Sequence, residues 1–354
     1  MILLITGVAG FIGSNFTYYY LDKYKERRII GLDNLTYSGN IENLSKLTES
    51  QKKRFHFIKG DINNRQLVEK IFSDFKIDGV INIAAESHVD RSIFDPQSFL
   101  KTNILGTQTL LDVSKKFWLE KGEWLQNKRF LQVSTDEVYG SLGTTGYFTE
   151  ETPLDPRSPY SASKAASDLI VKAYNTTYEM PIIITRSSNN YGPYQFPEKL
   201  IPLMINNALN NKPLPIYGDG RHIRDWLYVL DHCKAMELAF RDGKIGETYN
   251  IGSQNEKENI YVVNRIIDLL RTKTGNYKIS PDLIQYVEDR PGHDRRYAID
   301  ASKIRRELSW RPEISFEKGL DITIQWYLEN IDWLNSVISG EYLEYYKKNY
   351  GWRS

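Results

Sequence analysis

The chain has 354 residues, of which 41% are hydrophobic and 26% are charged, and this composition is typical of a folded globular protein rather than a disordered one. The charges of its 46 basic and 45 acidic residues nearly cancel, which excludes a broad positively charged surface that would bind nucleic acid or an anionic membrane. We therefore expect a small-molecule ligand, with at most a local basic pocket for a phosphate.

The amino-terminal run MILLITGVAG is apolar for only a few residues and has no basic flank, so it fits neither a signal peptide nor a membrane span. It is typical of a first strand, and we expect a cytoplasmic protein. The single cysteine, Cys233, has no partner for a disulfide and no sign of thiol catalysis around it. We interpret it as a buried structural thiol.

Six short apolar runs follow one another through the first half of the chain: ILLIT, RRIIGLD, FHFIKGD, GVINIAA, RFLQVST and PIIITRS. They are continuous rather than alternating, which is typical of strands covered on both faces of a parallel sheet. Segments between them, such as SFLKTNILGTQTLLDVSKKF and PYSASKAASDLIVKAYNTTY, carry apolar residues at helical spacing. The sequence predicts an α/β fold with a Rossmann-type doubly wound parallel sheet.

After about residue 190 the pattern changes to pieces punctuated by proline and glycine, such as KPLPIYGDGRHIRDW, mixed with helical stretches such as ENIYVVNRIIDLL. We predict a dinucleotide-binding domain over residues 1–190 and a smaller substrate-binding lobe over 191–354, with possible chain crossings back to the first domain. No flexible linker separates the two parts, so they should pack around a shared cleft.

The stretch TGVAGFIG follows the first predicted strand and opens a helix, with glycines at Gly7, Gly10 and Gly13. Glycines permit a tight turn, and the N–H groups of a helix amino terminus can bind a pyrophosphate. The next strand ends in Asp33, whose carboxylate can accept hydrogen bonds from a ribose diol and would repel a 2′-phosphate. The combination predicts NAD rather than NADP; the alternative is a helix-capping loop beside a solvated aspartate.

The motif SPYSASK places Tyr160 and Lys164 four residues apart on a predicted helix, and this spacing puts both side chains on one face. An ammonium group near the phenol would favour phenolate and lower its pKa, so that Tyr160 could act as a base. Thr135, at the end of the preceding strand, could orient a reacting alcohol. The alternative is an ordinary exposed helix, on which such pairs are common.

Two adjacent carboxylates, Asp136 and Glu137, follow that strand in VSTDEVYG. Like charges repel and burial of either is costly, so a purely structural role is hard to find unless both are solvated at the surface. Two carboxyl groups in different environments can instead divide the roles of general acid and general base.

Together these motifs resemble the extended short-chain dehydrogenase/reductase superfamily. The stretches AAESHVDRSI, STDEVYG, SPYSASKAASD, NNYGPYQFPEKLIP and EDRPGHDRRYAID resemble more closely its dTDP-glucose 4,6-dehydratase family, from end to end. The resemblance implies oxidation of sugar carbon 4 by bound NAD⁺ with Tyr160, Lys164 and Thr135. It further implies elimination of water with Glu137 as the carbon-5 base and Asp136 as the carbon-6 acid, hydride return to carbon 6, and a homodimer.

The resemblance also implies two sets of binding residues. The cofactor set is Gly7, Gly10, Phe11, Ile12, Gly13, Asp33, Asn34, Leu35, Thr36, Asp61, Ile62, Ile83, Ala84, Ala85, Glu86, Ser87, Thr102, Tyr160, Lys164 and Asn190. The nucleotide-sugar set is Ser87, Thr135, Asn189, Lys199, Leu200, Pro215, Ile216, Tyr217, Arg224, Asn259, Asp289, Arg290, Pro291, Gly292, His293 and Tyr350. Arg224 and Arg290 are expected to bind the diphosphate, because guanidinium groups match phosphate oxygens. The five histidines show no metal-ligand spacing, so we expect no metal.

Three other functions remain open. A related nucleotide-sugar epimerase would share the fold, NAD, Tyr160 and Lys164 but would have no use for the Asp136 and Glu137 pair, and a dehydratase could act on another nucleotide sugar. A catalytically silent nucleotide-sugar sensor would need neither pair.

Overall fold

The computed structural model describes residues 1–338, and its centre is a seven-stranded sheet in which every neighbouring pair of strands is parallel. The strands are β1 (Ile2–Thr6), β2 (Arg28–Asp33), β3 (Phe55–Lys59), β4 (Gly79–Asn82), β7 (Arg129–Thr135), β8 (Ile182–Ser187) and β12 (Thr248–Ile251). Their order in the sheet is β12-β8-β7-β4-β1-β2-β3. The six predicted strands and the doubly wound α/β fold are confirmed, whereas the edge strand β12 was not predicted.

Helices cover both faces of this sheet. On one face, α1 (Phe11–Lys23) and α9 (Val229–Asp242) pack together over a core that includes Phe16, Met236 and Tyr249. The other face carries α3 (Arg65–Phe75), α6 (Thr107–Trp118) and α7 (Pro159–Tyr178). Cys233 is fully buried on α9, as expected for a structural thiol.

The segment expected to form one helix over residues 98–117 is divided into three parts. The short helices α4 (Val89–Phe94) and α5 (Pro96–Phe99) lead into a π-helical segment, Leu100–Gly106, and only then does α6 begin. A Cβ atom at Gly106 would lie 2.4 Å from Ile62 Cδ1, so a larger residue there would require the Ile62 side chain to shift. A π-helical segment is a common feature of functional sites.

The second lobe has two small sheets. β9 (Asn189–Tyr191), β11 (Ile223–Tyr228) and β13 (Glu256–Glu258) form one, and β10 (Leu214–Tyr217) pairs with β14 (Ile284–Val287) in the other. Its helices are α8 (Leu200–Leu209), α10 (Asn259–Thr274), α12 (Phe316–Glu329) and α13 (Ile331–Val337). They enclose a separate apolar core. The chain returns to the central sheet through α9 and β12, and α11 (Ser302–Leu308) packs on β12.

The remaining elements are peripheral or short. They are the helix α2 (Glu49–Lys52), the hairpin β5 (Leu119–Glu120) with β6 (Glu123–Trp124), and the 3-10 turns Ile41–Leu44, Asp136–Tyr139 and Pro281–Leu283. Within residues 1–338, no helix combines the length and apolar character needed to cross a membrane.

Candidate functional site

The glycine loop joins β1 to α1 and brings backbone close to backbone. Gly7 has φ +68°, and a Cβ there would lie 2.8 Å from the backbone of Ala84. A Cβ at Gly13 would come 2.0 Å from the Gly7 carbonyl oxygen, whereas one at Gly10 would meet only that oxygen, at 3.4 Å. Gly7 and Gly13 therefore serve packing, while Gly10 leaves room beside the amino terminus of α1 for a ligand phosphate.

Asp33 ends β2 next to this loop, and two backbone groups hold its carboxylate in place. One oxygen accepts from the Ala9 N–H at 2.9 Å and the other from the Leu35 N–H at 2.8 Å. Burial raises the pKa of Asp33, and these two hydrogen bonds oppose the rise. Each carboxylate oxygen can accept more than one hydrogen bond, so the fixed group can still receive hydroxyl donors.

A cleft, which we call the glycine-loop cleft, opens above the carboxyl ends of the strands. Most residues of the predicted cofactor set line it: Gly7, Gly10, Phe11, Ile12, Gly13, Asp33, Asn34, Thr36, Asp61, Ile62, Ile83, Ala84, Ala85, Glu86, Ser87 and Thr102. Thr102 reaches it from the π-helical segment. Leu35 does not line it, and Asn190 lines the neighbouring pocket instead.

The neighbouring cavity, the second-lobe pocket, lies where the second lobe meets the central sheet. It is lined by Asn189, Lys199, Leu200, Pro215, Ile216, Tyr217, Arg224, Asn259, Arg290 and His293 of the predicted nucleotide-sugar set. Glu137 also lines it. Ser87 faces the glycine-loop cleft, Asp289, Pro291 and Gly292 belong to the adjoining loop without lining the pocket, and Tyr350 lies outside the described residues.

Within residues 1–338, three residues line both cavities: Gln195, Glu198 and Lys199. Lys199 Nζ donates to the Ser87 carbonyl oxygen at 2.8 Å, which connects the second lobe to the segment that follows β4. Sequence reasoning selected Lys199 but missed Gln195 and Glu198. A signal for them was present, because both lie within NNYGPYQFPEKLIP, the stretch that supported the resemblance.

The acid pair lies where β7 ends and turns into the 3-10 segment Asp136–Tyr139. Thr135 caps this turn, with its hydroxyl oxygen 3.3 Å from the Glu137 N–H. Asp136 is 1% exposed, and burial and the adjacent Glu137 charge raise its pKa well above the usual range. Burial also raises the pKa of half-buried Glu137, but the charges of Arg290 and Lys199 oppose the rise. The two carboxyl groups therefore have unequal environments.

Tyr160 and Lys164 lie on the first turns of α7, and both are buried. Lys164 Nζ donates to the Val133 carbonyl oxygen at 2.7 Å, and burial lowers the pKa of Lys164 to about 8. Burial raises the pKa of Tyr160, and the Glu137 charge adds to the rise. The lowered Tyr160 pKa expected from the four-residue spacing is therefore wrong for the chain alone, because desolvation is the largest cause and Lys164 is not among the groups that lower the Tyr160 pKa.

The residues Thr135, Asp136, Tyr160 and Lys164 do not line either cavity. Each of them is nevertheless close to Glu137 or to strand β7, which precedes Glu137. Asp136 Oδ1 lies 3.3 Å from the Thr135 hydroxyl, and the Thr135 hydroxyl lowers the Tyr160 pKa. The five predicted catalytic residues thus form one group beneath the second-lobe pocket.

The two arginines expected to bind a diphosphate are held in different ways. Arg224 donates to the Asp294 carbonyl oxygen at 2.8 Å, and its guanidinium lies 4.3 Å from the Tyr297 ring centroid. Arg290 pairs with Asp90 at 3.3 Å. Both line the second-lobe pocket, so their positive charges face one cavity.

A cluster of possible metal ligands, not expected from the sequence, lies beside this pocket. Ligand atoms of His222, Asp289 and His293 are all within 4.8 Å of one another, and each imidazole lies within hydrogen-bond distance of the carboxylate. Burial and the charges of Arg290 and Arg224 lower the pKa of His293. The same positive charges disfavour a cation, so we interpret the cluster as a hydrogen-bonded support for the loop.

Comparison with known proteins identifies the family. The family model described as GDP-mannose 4,6 dehydratase matches residues 4–323. The dTDP-glucose 4,6-dehydratase of Salmonella typhimurium (strain LT2) is 51% identical over an alignment 360 residues long, which covers 99% of this chain and 99% of that one. The chain belongs to the dTDP-glucose 4,6-dehydratase family.

Solved members of the dTDP-glucose 4,6-dehydratase family share the fold. The enzyme of Bacillus anthracis, solved in complex with NAD, is 49% identical with a TM-score of 0.85, covering 95% of this chain and 99% of that one. The enzyme of Streptomyces venezuelae, also solved with NAD bound, is 43% identical with a TM-score of 0.87, covering 95% of this chain and 100% of that one.

Proposed function

We propose that this chain is an NAD-dependent dTDP-glucose 4,6-dehydratase, a hydro-lyase that converts dTDP-glucose to dTDP-4-keto-6-deoxyglucose. The observation that carries the proposal is the pair Asp136 and Glu137, which have unequal environments beneath the second-lobe pocket and next to Tyr160. Elimination of water needs both an acid and a base, and this pair provides one of each.

The glycine-loop cleft fits NAD. The open space at Gly10 and the amino terminus of α1 suit the pyrophosphate, and the fixed Asp33 carboxylate suits the adenosine ribose. The chemistry that bound NAD⁺ would supply is a hydride acceptor for sugar carbon 4 and, once reduced, a hydride donor to carbon 6, so the reaction would have no net redox change.

Oxidation requires a base for the carbon-4 hydroxyl. We assign this role to Tyr160, with Thr135 orienting the hydroxyl. The pKa of Tyr160 is raised in the chain alone, so the base role requires the positive charge of the oxidised cofactor nearby to favour phenolate. Lys164 fixes the end of β7 through the Val133 carbonyl oxygen and adds a further positive charge when protonated.

Elimination follows once carbon 4 is a ketone, because the carbon-5 proton is then acidic. Glu137, whose rise in pKa is opposed by nearby cations, takes that proton. Asp136, whose pKa is raised well above its usual range by burial and the Glu137 charge, gives its proton to the carbon-6 hydroxyl, which leaves as water. A proton then returns to carbon 5.

The second-lobe pocket would hold the nucleotide part of the substrate. Arg224 and Arg290 suit the diphosphate, and Pro215, Ile216 and Tyr217 form the wall assigned to the base. Asn259 supplies a polar group to the same pocket.

The proposal is tested by incubating the purified protein with dTDP-glucose and identifying the product by NMR and mass spectrometry. We expect a 4-keto-6-deoxy sugar nucleotide that has lost one water, and NAD in the supernatant of denatured protein. The related epimerase would share Asp33, Tyr160 and Lys164 but would return a 4-epimer of unchanged mass. Formation of that epimer would contradict the dehydratase assignment.

We extend the proposal to a homodimer. Large apolar side chains are exposed on the π-helical segment, where Leu100 is 48% and Leu105 is 55% exposed, and on α7, where Leu169 is 57% exposed. The two segments contact each other, so a second copy could cover both. Sedimentation should give a dimeric mass, and Leu169→Glu should shift it towards the monomer. The cytoplasmic location stays a prediction, which cell fractionation would test.

A further inference from the structure

A cluster of three side chains, which we call the clasp, joins separate parts of the chain at the edge of the glycine-loop cleft. The Tyr37 hydroxyl donates to Glu198 Oε1 at 2.9 Å, and Arg91 Nε donates to Glu198 Oε2 at 3.1 Å. The Arg91 guanidinium lies 3.5 Å from the centroid of the Tyr37 ring, close enough for a cation–π contact. Each member therefore contacts the other two.

The clasp joins two segments of the chain that line the cleft. Tyr37 lies between Thr36 and Ser38, which line the wall formed by the loop after β2. Glu198 belongs to a second lining segment together with Gln195 and Phe196, and the Phe196 ring meets the Tyr37 ring edge to face at 5.7 Å. A dinucleotide in the cleft would be in contact with both segments.

The physical setting makes the clasp costly to open. The Glu198 side chain is 1% exposed, so loss of a donor would leave a buried carboxylate oxygen unsatisfied. Burial and the Glu198 charge raise the pKa of Tyr37 well above its usual range, so its hydroxyl keeps the proton that it donates.

We propose that Tyr37, Arg91 and Glu198 retain the bound dinucleotide between turnovers, and that opening of this clasp limits the rate at which NAD exchanges with solution. The inference rests on the proposed function, in which NAD is regenerated in every cycle and has no need to leave. Tyr37 and Arg91 act as positioning residues for Glu198 and the cofactor walls.

The test is an isotope chase on the holoenzyme. Protein carrying its bound NAD is mixed with excess isotope-labelled NAD, and the labelled fraction still bound is measured by mass spectrometry over time. Tyr37→Phe removes one hydrogen bond to a charged group and should accelerate exchange by about tenfold or more. Tyr277→Phe, the same change at a tyrosine that is 80% exposed, is the matched control and should exchange as the unmodified chain does.

Two further measurements separate a clasp from a general loss of structure. Activity of Tyr37→Phe should decline after dilution into buffer without NAD and recover when NAD is added, which a misfolded variant would not do. Arg91→Lys keeps the charge but not the planar stacking, and it should also accelerate exchange.

Exchange in both variants at the rate of the unmodified chain would overturn the clasp while leaving the dehydratase assignment intact. An unmodified chain that releases NAD as fast as Tyr37→Phe would overturn it as well. A chain that holds NAD firmly but does not dehydrate dTDP-glucose would instead contradict the proposed function.

Discussion

Replacement of Glu137 by glutamine separates oxidation from elimination. The amide keeps the size of the side chain but cannot take the carbon-5 proton, and loss of a general base typically slows a step by about 10²- to 10⁴-fold. The Glu137 charge contributes to the raised pKa of Tyr160, so its removal should lower that pKa and leave oxidation at carbon 4 unimpaired. Bound NADH should therefore accumulate on mixing with dTDP-glucose.

Stopped-flow absorbance of the reduced nicotinamide measures oxidation, and deuterium exchange at carbon 5 in heavy water measures proton removal. Glu49→Gln, at a side chain that is 84% exposed, is the matched control and should behave as the unmodified enzyme does. If Glu137→Gln forms the 4-keto-6-deoxy product at the unmodified rate with normal carbon-5 exchange, Glu137 is not the base and the elimination scheme is wrong.

Four other changes test separate parts of the site and fold. Asp136→Asn should also accumulate NADH, but with carbon-5 exchange retained, since only the acid is lost; absence of both effects would contradict its role. Asp33→Ser should weaken NAD binding in titrations and reduce the difference in affinity between NAD and NADP, because the acceptor for the ribose hydroxyls and the repulsion of a 2′-phosphate both disappear. Asp168→Asn leaves the 1% exposed Arg186 without its anionic partner at 2.9 Å, and should lower the free energy of unfolding by about 3–5 kcal/mol in denaturant titrations. The Lys164 pKa falls from 10.5 to about 8 on folding, so between these pH values the unfolded chain holds more protons and the free energy of unfolding rises with pH. Relative to Lys164→Met, the free energy of unfolding of the unmodified chain should increase by about 3 kcal/mol between pH 7 and 10.5. A difference between the two chains that does not change with pH would refute the shift.

The sequence predicted the central sheet well, because fully buried parallel strands are continuous apolar runs. All six predicted runs became strands, whereas β12 was missed because TYNI is only four residues long and two of them are polar. The predicted helix over 98–117 is helical throughout, but hydrophobic periodicity does not report that Leu100–Gly106 is wound as a π-helix.

The sequence predicted which residues form the candidate site better than it predicted their pKa values. Motif spacing selected residues that the structure brings together, such as Asp33 at the glycine loop and Glu137 at the second-lobe pocket. The Tyr160 pKa could not be inferred, because a four-residue spacing shows that Lys164 is near but not how deeply both are buried. Glu198 was missed because its contacts with Tyr37 and Arg91 join positions far apart in sequence.

The late return of the chain to the central sheet has a consequence for synthesis on the ribosome. Strand β8 ends at Ser187, but its outer neighbour β12 is completed only at Ile251. The elements β9, α8, β10, β11 and α9 are translated between these two strands. Until then the edge of β8 is unpaired, and the face of α1 that will contact α9 is uncovered. The nascent chain therefore carries an open edge and an apolar face for much of its elongation, and both favour transient chaperone binding until residue 251 has emerged.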